Sequence, residues 1–559
     1  MSVPARKFHR LAAAAVALAV SAALISGSPR VAVADDDPDD ERPGSGKLRW
    51  TPCGAPFECA VLHAPLEPDD RDRGRKVAIA LIRLPSTNPG AKIGSLVVNP
   101  GGPGAPGVDF VREIGLFLPP ALRGSFDLVG FDPRGVVRST PLRCFGSPAE
   151  WEPFFLPFPF PITEEQEEAW FEADEFLQEA CDERGGRIGD HMSTAQAARD
   201  MDRIRAAVGD PKLTYLGFSY GSFLGNVYAN LFPGRVRAVV LDGVLDPVAW
   251  TTGDPGEEHL PFSTRLGSAG GATVGLQQFF AACDAAGTDC ALSGRAEARF
   301  DDLAEALAEK PAEIRDPETG ETLPFSYADL VAVALGALYT EFAWKSLAEF
   351  LAFVEESRSP AALGRSLLRL RADLGLDTGG IETDYQNFLE GFPGVACTDS
   401  DNPDQPEAWS KAAAAAPGYF GAIWTWASSI CSDWPFEDDD RYTGPWDART
   451  AAPVLLVGNL GDPATAYTDA QRVAGLLPSS RLLTYEGGGH TAVGGLSSCI
   501  DSAVIDYLLS VRLPAAGTSC PRELDPFAPE LGAPVAGSAV ARAQVAAQLP
   551  SVVREALNR

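Results

Sequence analysis

The chain has 559 residues, 45% of them hydrophobic and 22% charged, which are globular proportions and exclude a disordered or collagen-like chain. Its formal net charge is −30, a surface that repels phosphate backbones and anionic lipid, so no nucleic-acid partner is expected. The length is ample for a large core plus a second domain or long insertions.

Arg6, Lys7 and Arg10 precede an almost unbroken apolar run from Leu11 to Ile25, and Ala32-Val33-Ala34 follows it. That is the three-part pattern of a secretory signal, assigned to residues 1–34. The run falls short of the roughly 20 residues a membrane span needs, so no stable membrane association is expected after cleavage. Residues 35–46 are acidic and rich in Pro and Gly, and read as a flexible leader. All ten cysteines lie beyond residue 34. In an exported chain an even number predicts disulfides, here five. Pairing sequence neighbours closes short local loops, which gives Cys53–Cys59, Cys144–Cys181, Cys283–Cys290, Cys397–Cys431 and Cys499–Cys520. No C-x-x-C occurs and His is scarce, so neither a metal site nor a cofactor is expected.

Strand-like runs follow from Leu48 onward: Val77–Ile82, Ser95–Asn99 and Phe126–Phe131. Thr194–Val208 has helical spacing and is stopped by Gly209-Asp210-Pro211. Lys212–Phe218 reads as a strand, Tyr220–Leu231 as a helix and Val236–Leu241 as a strand. This alternation predicts an α/β fold with a mostly parallel sheet and helices on both faces. It spans residues 47–247 as the first part of a core. Residues 248–445 read as a mostly helical cap or lid insertion, with helices near Phe300–Glu309, Tyr327–Phe342 and Trp344–Glu356. The core resumes over 446–525 with strand Pro453–Gly458, helix Thr468–Leu477, strand Arg481–Tyr485 and helix Cys499–Val511. The Ala-rich stretch 526–559 reads as a weak helix or a mobile tail.

Gly217-Phe218-Ser219-Tyr220-Gly221 matches G-x-S-x-G between a predicted strand and a predicted helix, the setting in which a serine hydroxyl is lifted clear of the backbone. Such a hydroxyl needs a base. Beyond residue 34 the histidines are His63, His191, His259 and His490. Only His490, in Glu486-Gly-Gly-Gly-His490, directly follows a predicted strand in the resumed core and so is delivered to the sheet edge that carries Ser219. Asp462, after strand Pro453–Gly458, is the orienting carboxylate, which completes the order Ser219, Asp462, His490. The oxyanion donors expected are the backbone N–H groups of Tyr220 and of Gly102, in Asn99-Pro-Gly-Gly-Pro-Gly104. Gly102-Pro-Gly104-Ala-Pro-Gly107 also fits G-x-G-x-x-G, but its prolines spoil the helix start that would cradle a dinucleotide.

Several longer stretches carry a resemblance: "NPGGPGAPG", "FDLVGFDPRGVVRST", "YLGFSYGSFLGNVYANLFP", "LDGVLDP", "VACTDS", "LLVGNLGDPATAY" and "GGGHT". From about residue 50 to 525 the chain resembles secreted α/β-hydrolases of the proline iminopeptidase and tripeptidyl aminopeptidase group, the actinobacterial tripeptidyl aminopeptidases above all. Iminopeptidases carry His-Gly-Gly-Pro-Gly where this chain has Pro100 to Gly104, and Gly-Trp-Ser where it has Gly217-Phe218-Ser219, which points to the tripeptidyl branch. The resemblance implies the α/β-hydrolase fold and a secreted, extracellular serine aminopeptidase acting on peptides with a free N-terminus. Such an enzyme needs a carboxylate for the substrate ammonium, with Asp399, Glu257 and Glu258 as candidates. The Arg134 loop is expected to brace the site's rim by hydrogen bonds. A secreted carboxylesterase or lipase on the same triad, a proline iminopeptidase, and a non-catalytic binding protein on this scaffold remain alternatives.

Overall fold

The runs Gly94–Asn99, Phe126–Phe131 and Leu213–Phe218 are apolar with little alternation, and nearly all their residues are buried. Strands of that kind need cover on both faces, which helices flanking a parallel sheet supply. The computed structural model shows that arrangement. It describes residues 48–67, 74–317, 319–376 and 387–528, and then 542–545, 548–550, 553–554 and 557. The signal and leader segments lie outside the described residues.

In chain order the strands are β1 (Thr51–Pro52), β2 (Glu58–Pro65), β3 (Lys76–Leu84), β4 (Gly94–Asn99), β5 (Phe126–Phe131), β6 (Leu213–Phe218), β7 (Val236–Asp242), β8 (Ala312–Arg315), β9 (Thr322–Phe325), β10 (Val454–Gly461), β11 (Ser480–Gly488) and β12 (Ser519–Cys520). β8 and β9 pair as a separate hairpin. The other ten form one sheet, ordered β1-β2-β3-β5-β4-β6-β7-β10-β11-β12. The pairs β1–β2, β2–β3 and β3–β5 are antiparallel. Every pair from β5 across to β12 is parallel.

Successive residues of a strand face opposite sides. Val97, Val129, Tyr215, Val239 and Leu456 enter a core shared with Ile204, Val227 and Val473. Those three come from the helices Thr194–Ala207, Tyr220–Leu231 and Tyr467–Leu476. Val98, Leu128, Leu216, Val240 and Leu455 enter a second core with Val111 and Val504, from helices Gly107–Ile114 and Ser498–Ser510.

Between β7 and β10 the chain runs through helices that include Ser268–Ala286, Ala296–Glu309, Tyr327–Leu338, Trp344–Glu355, Pro360–Asp373 and Phe388–Asp399. It also makes the β8–β9 hairpin, which the helical expectation lacked. These elements close a third core that holds Leu335, Trp344, Trp409 and Trp426. A helix from the first part of the chain, Glu164–Arg184, joins it. Trp170 Nε1 donates to Ser429 Oγ at 2.7 Å, and the Trp170 ring lies 6.2 Å from that of Trp426. The cap core is thus built from two separate stretches of sequence. Tail residues Val545, Leu549, Val553 and Leu557 are buried in the same core.

The five expected disulfides are all formed, and they fit an oxidising compartment. Among the described residues no helix is long and apolar enough to cross a membrane.

Asp174, on the helix Glu164–Arg184, is buried. Burial pushes its carboxyl from 3.8 up to about 7, against a hydrogen bond from Ser429 that favours the charged form. The unfolded chain therefore loses this proton first as pH rises, and folding stability falls across that window. Asp174→Asn removes the penalty. In thermal denaturation the variant is expected to match the parent near pH 3 and to exceed it near pH 8 (about one unit or less below and above the window). An equal difference at both pH values would contradict the buried neutral carboxyl.

Candidate active site

β6 ends at Phe218 and the next helix begins at Tyr220, so Ser219 alone makes the turn. Its φ is 56° and its ψ −126°, a backbone region that strains a residue with a side chain. The flanking glycines permit it. A Cβ at position 217 would lie 2.2 Å from the Gly221 carbonyl oxygen, and one at 221 would lie 2.8 Å from the Asn99 carbonyl oxygen. The expected strand–serine–helix context is present. Ser219 N donates to Asp242 O of β7 at 2.8 Å. As the first helical residue, Tyr220 has an N–H with no intrahelical acceptor, and the helix dipole adds positive potential there.

Asp462 and His490 follow β10 and β11 and meet. His490 Nδ1 donates to Asp462 Oδ1 at 2.8 Å and lies 3.0 Å from Oδ2. Both side chains are completely buried. The same carboxylate also forms the turn that a Gly-Asp-Pro sequence suggests: Oδ1 accepts from Ala464 N and Thr465 N, each at 2.9 Å. Oδ2 accepts from Thr465 Oγ1 at 2.9 Å. These donors fix the plane of the carboxylate. With its proton on Nδ1, the imidazole leaves Nε2 as an acceptor. Among the described residues Nε2 is buried with no hydrogen-bond partner.

The loop bearing His490 is pinned from two sides that the sequence did not reveal. Asp242 accepts from Ala492 N at 3.0 Å and Val493 N at 2.8 Å. From the cap, Tyr339 O accepts from His490 N at 2.9 Å, and the Tyr339 ring stands edge-on to the imidazole at 5.2 Å. Glu341 Oε1 accepts from Gly488 N at 2.8 Å and lies 2.7 Å from Arg522 Nε. Local sequence carries no sign of these contacts, because each joins positions more than a hundred residues apart.

The loop after β4 lies against the serine turn. Gly101, with φ +101°, would place a Cβ 2.9 Å from Ser219 Cβ. Gly101 N donates to Asn99 Oδ1 at 3.0 Å, and Gly102, with φ +103°, is the next residue of the same turn. Asp399 ends the helix Phe388–Asp399 and is buried. It accepts from Thr194 N at 2.8 Å, Thr194 Oγ1 at 2.6 Å and Trp250 Nε1 at 3.3 Å. Thr194 Oγ1 in turn bonds the Tyr220 hydroxyl at 2.5 Å, which links Asp399 to the serine turn. Burial pushes the Asp399 carboxyl up to about 7. Glu257 and Glu258 instead hold a local turn, accepting from Asp254 N at 2.9 Å and Gly256 N at 3.0 Å. Arg134 is buried, pairs with Asp200 at 2.8 Å and donates to Leu66 O at 2.9 Å, tying β2 to the helix Thr194–Ala207. His63 lies on β2, His191 is 3.8 Å from Glu67, and His259 is exposed.

Glu341→Ala would leave the Arg522 guanidinium and the Gly488 N–H without their buried acceptor. The expected loss is about 3 kcal/mol of unfolding free energy, measured by urea denaturation. A loss below about 1 kcal/mol, the range of an exposed pair, would contradict the clamp.

Residues 94–264 match a family model described as alpha/beta hydrolase fold, and residues 416–520 match one described as TAP-like protein. "Serine protease Hip1" of Mycobacterium tuberculosis is 32% identical over 539 residues, covering 91% of this chain and 96% of that protein. "Tripeptidyl aminopeptidase" of Streptomyces lividans is 30% identical over 495 residues, covering 85% and 86%. "Carboxylesterase B" of Mycobacterium tuberculosis is 32% identical over 522 residues, covering 86% and 93%. With that coverage, the matched strand–serine–helix region and the mostly parallel sheet, the chain belongs to the tripeptidyl aminopeptidase-like family of α/β-hydrolase-fold serine hydrolases.

Proposed function

We propose that this hydrolase is an exported serine exopeptidase that releases short peptides, tripeptides foremost, from free N-termini. The observation that carries the reading is the imidazole of His490. It is held by both oxygens of Asp462, and its other nitrogen is buried and uncommitted. The hydroxyl for that nitrogen is, in this reading, that of Ser219, at the strained turn after β6. In this reading Ser219 Oγ attacks the scissile carbonyl carbon while His490 Nε2 takes the hydroxyl proton. Asp462 stabilises the imidazolium. The oxyanion accepts from Tyr220 N–H and Gly102 N–H. Collapse breaks the C–N bond, and His490 returns the proton to the departing amine. Water, deprotonated by the same imidazole, then hydrolyses the acyl-enzyme.

Of the three candidate carboxylates, Asp399 is the one joined to the serine turn through Thr194 and Tyr220. Three donors leave room for another on its two oxygens. A substrate ammonium would fill that place and draw the raised carboxyl into its charged form. The five disulfides and the signal-like N-terminus support export. The relative named carboxylesterase favours a second reading, an esterase on the same triad, which needs no ammonium anchor.

One assay panel separates the two. Chromogenic amides of an unblocked tripeptide, a single residue and an N-acetylated tripeptide are compared for the parent and Ser219→Ala. The expected result is cleavage of the unblocked tripeptide alone, with Ser219→Ala slower by at least about 1000-fold. Comparable rates on the N-acetylated amide would remove the exopeptidase reading. Hydrolysis of simple esters but of no amide would favour the esterase.

A further inference from the structure

The C-terminal stretch looks dispensable in sequence: Ala-rich, weakly helical and beyond the last sheet strand. The structure puts it to a different use. Residues 542–545 are helical, and so is Gln548. Gln544 and Gln548 are four apart and so share one helix face. Both are buried, at 4% and 6% exposure. A buried amide is costly unless it finds hydrogen-bond partners. Each of these two donates to a loop carbonyl. Gln548 Nε2 donates to Pro100 O at 2.9 Å, and Gln544 Nε2 donates to Val493 O at 3.0 Å.

Those two carbonyls are not arbitrary positions. Pro100 immediately precedes Gly101, whose α-carbon is packed against Ser219, and Gly102, the proposed oxyanion donor. Val493 is three residues past His490, and its own N–H is held by Asp242 at 2.8 Å. The two loops leave different strands, β4 and β11, which are not neighbours in the sheet. No sheet hydrogen bond therefore sets the spacing between them. The two glutamines, four positions apart, each hold one of them.

The segment is itself anchored. Val545, Leu549, Val553 and Leu557 repeat at intervals of four beside the glutamine face and are buried in the cap core. The anchor point is Gly336 on the helix Tyr327–Leu338. A Cβ there would meet Leu557 at 2.8 Å and Val553 at 3.0 Å. One side of the segment thus grips the cap and the adjacent side grips the two active-site loops. A segment serving only to cover apolar surface would have no use for paired amides facing loop carbonyls, since apolar side chains bury at lower cost there.

We propose that Gln544 and Gln548 are positioning residues, which with the buried Val545, Leu549, Val553 and Leu557 fix the distance between the oxyanion donors of the loop after β4 and the imidazole of the loop after β11. The proposal rests on the catalytic reading given above for Ser219, Gly102 and His490. A loop displaced by a fraction of an ångström moves donors off the position of the developing oxyanion, which lowers the rate of the chemical step more than it lowers binding.

The test uses the full chain with Gln544→Met and Gln548→Met, alone and together. Methionine keeps the length and apolar stem and removes the donor. Three quantities are measured: kcat and KM on the unblocked tripeptide amide, the rate of covalent labelling by a fluorophosphonate probe, and the melting temperature. The double variant is expected to lose about tenfold or more in kcat and in labelling rate together, with KM within about twofold of the parent. Its melting temperature is expected to stay close to the parent's. A lower melting temperature with unchanged kcat and labelling would overturn the proposal, because it marks a merely structural tail. A faster variant would also overturn it, because the segment would then be screening the site. If the double variant does not fold, each single variant, lacking one tie, is subject to the same comparison. Failure of the parent itself to label at Ser219 would instead count against the catalytic reading.

Discussion

Asp462 and His490 face each other across 2.8 Å with both side chains shut away from water. A carboxylate in that position is tolerable only if its oxygens are satisfied, and five donors converge to do so: the imidazole, Ala464 N, Thr465 N, Thr465 Oγ1 and, more distantly, Thr491 N. The consequence runs outward. The carboxylate can sit there because β10 ends in a turn whose N–H groups point back at it. The imidazole can reach it because β11 lies beside β10 in parallel. The serine turn sits at the end of β6 because Gly217 and Gly221 let strand and helix approach closer than any side chain would allow. The sheet is the frame that brings three sequence-distant loops to one edge.

The cap is not a loose cover on that frame. Tyr339 and Glu341 contact the histidine loop directly. Gly104, in the loop after β4, would clash with the Gly391 backbone at 2.8 Å if it carried a Cβ, so the helix Phe388–Asp399 rests on that loop. Asn387 Nδ2 donates to Gly135 O at 2.6 Å and Leu142 O at 2.8 Å, tying the same cap element to the Arg134 loop. Asp399 at the far end of that helix reaches the serine turn through Thr194. Disulfide Cys397–Cys431 holds the end of the helix in place. Cap and core therefore share the work of defining the site.

How much of this the sequence discloses follows from the range of the interactions. The parallel strands were legible because burial on both faces leaves continuous apolar runs at Ser95–Asn99, Phe126–Phe131 and Lys212–Phe218. The positions of Ser219, Asp462 and His490 after strand ends were legible because each follows an apolar run, so placing the strands places the residues. Disulfide pairing was legible because all five bridges are local, with separations of 6 to 37 residues. The antiparallel edge of β1 to β3 was not, because pairing direction is set by partner strands that local sequence does not name. The helix Glu164–Arg184 was not read, and its residues fell within the 47–247 core, because its partners Trp426 and Ser429 lie some 250 residues away in sequence. Tyr339, Glu341, Gln544 and Gln548 were invisible for the same reason. Their chemistry is ordinary, and only the folded chain brings them to the active-site loops.

The central claim is chemical: the hydroxyl at the β6 turn becomes covalently attached to the acyl part of the substrate. It is tested most directly by quenching the enzyme in acid while it turns over an unblocked tripeptide ester, then locating any acyl adduct by peptide mass spectrometry. The account predicts a tripeptidyl group on the proteolytic fragment that contains Ser219. Sustained turnover with no adduct there, or with the group on another residue, would contradict it.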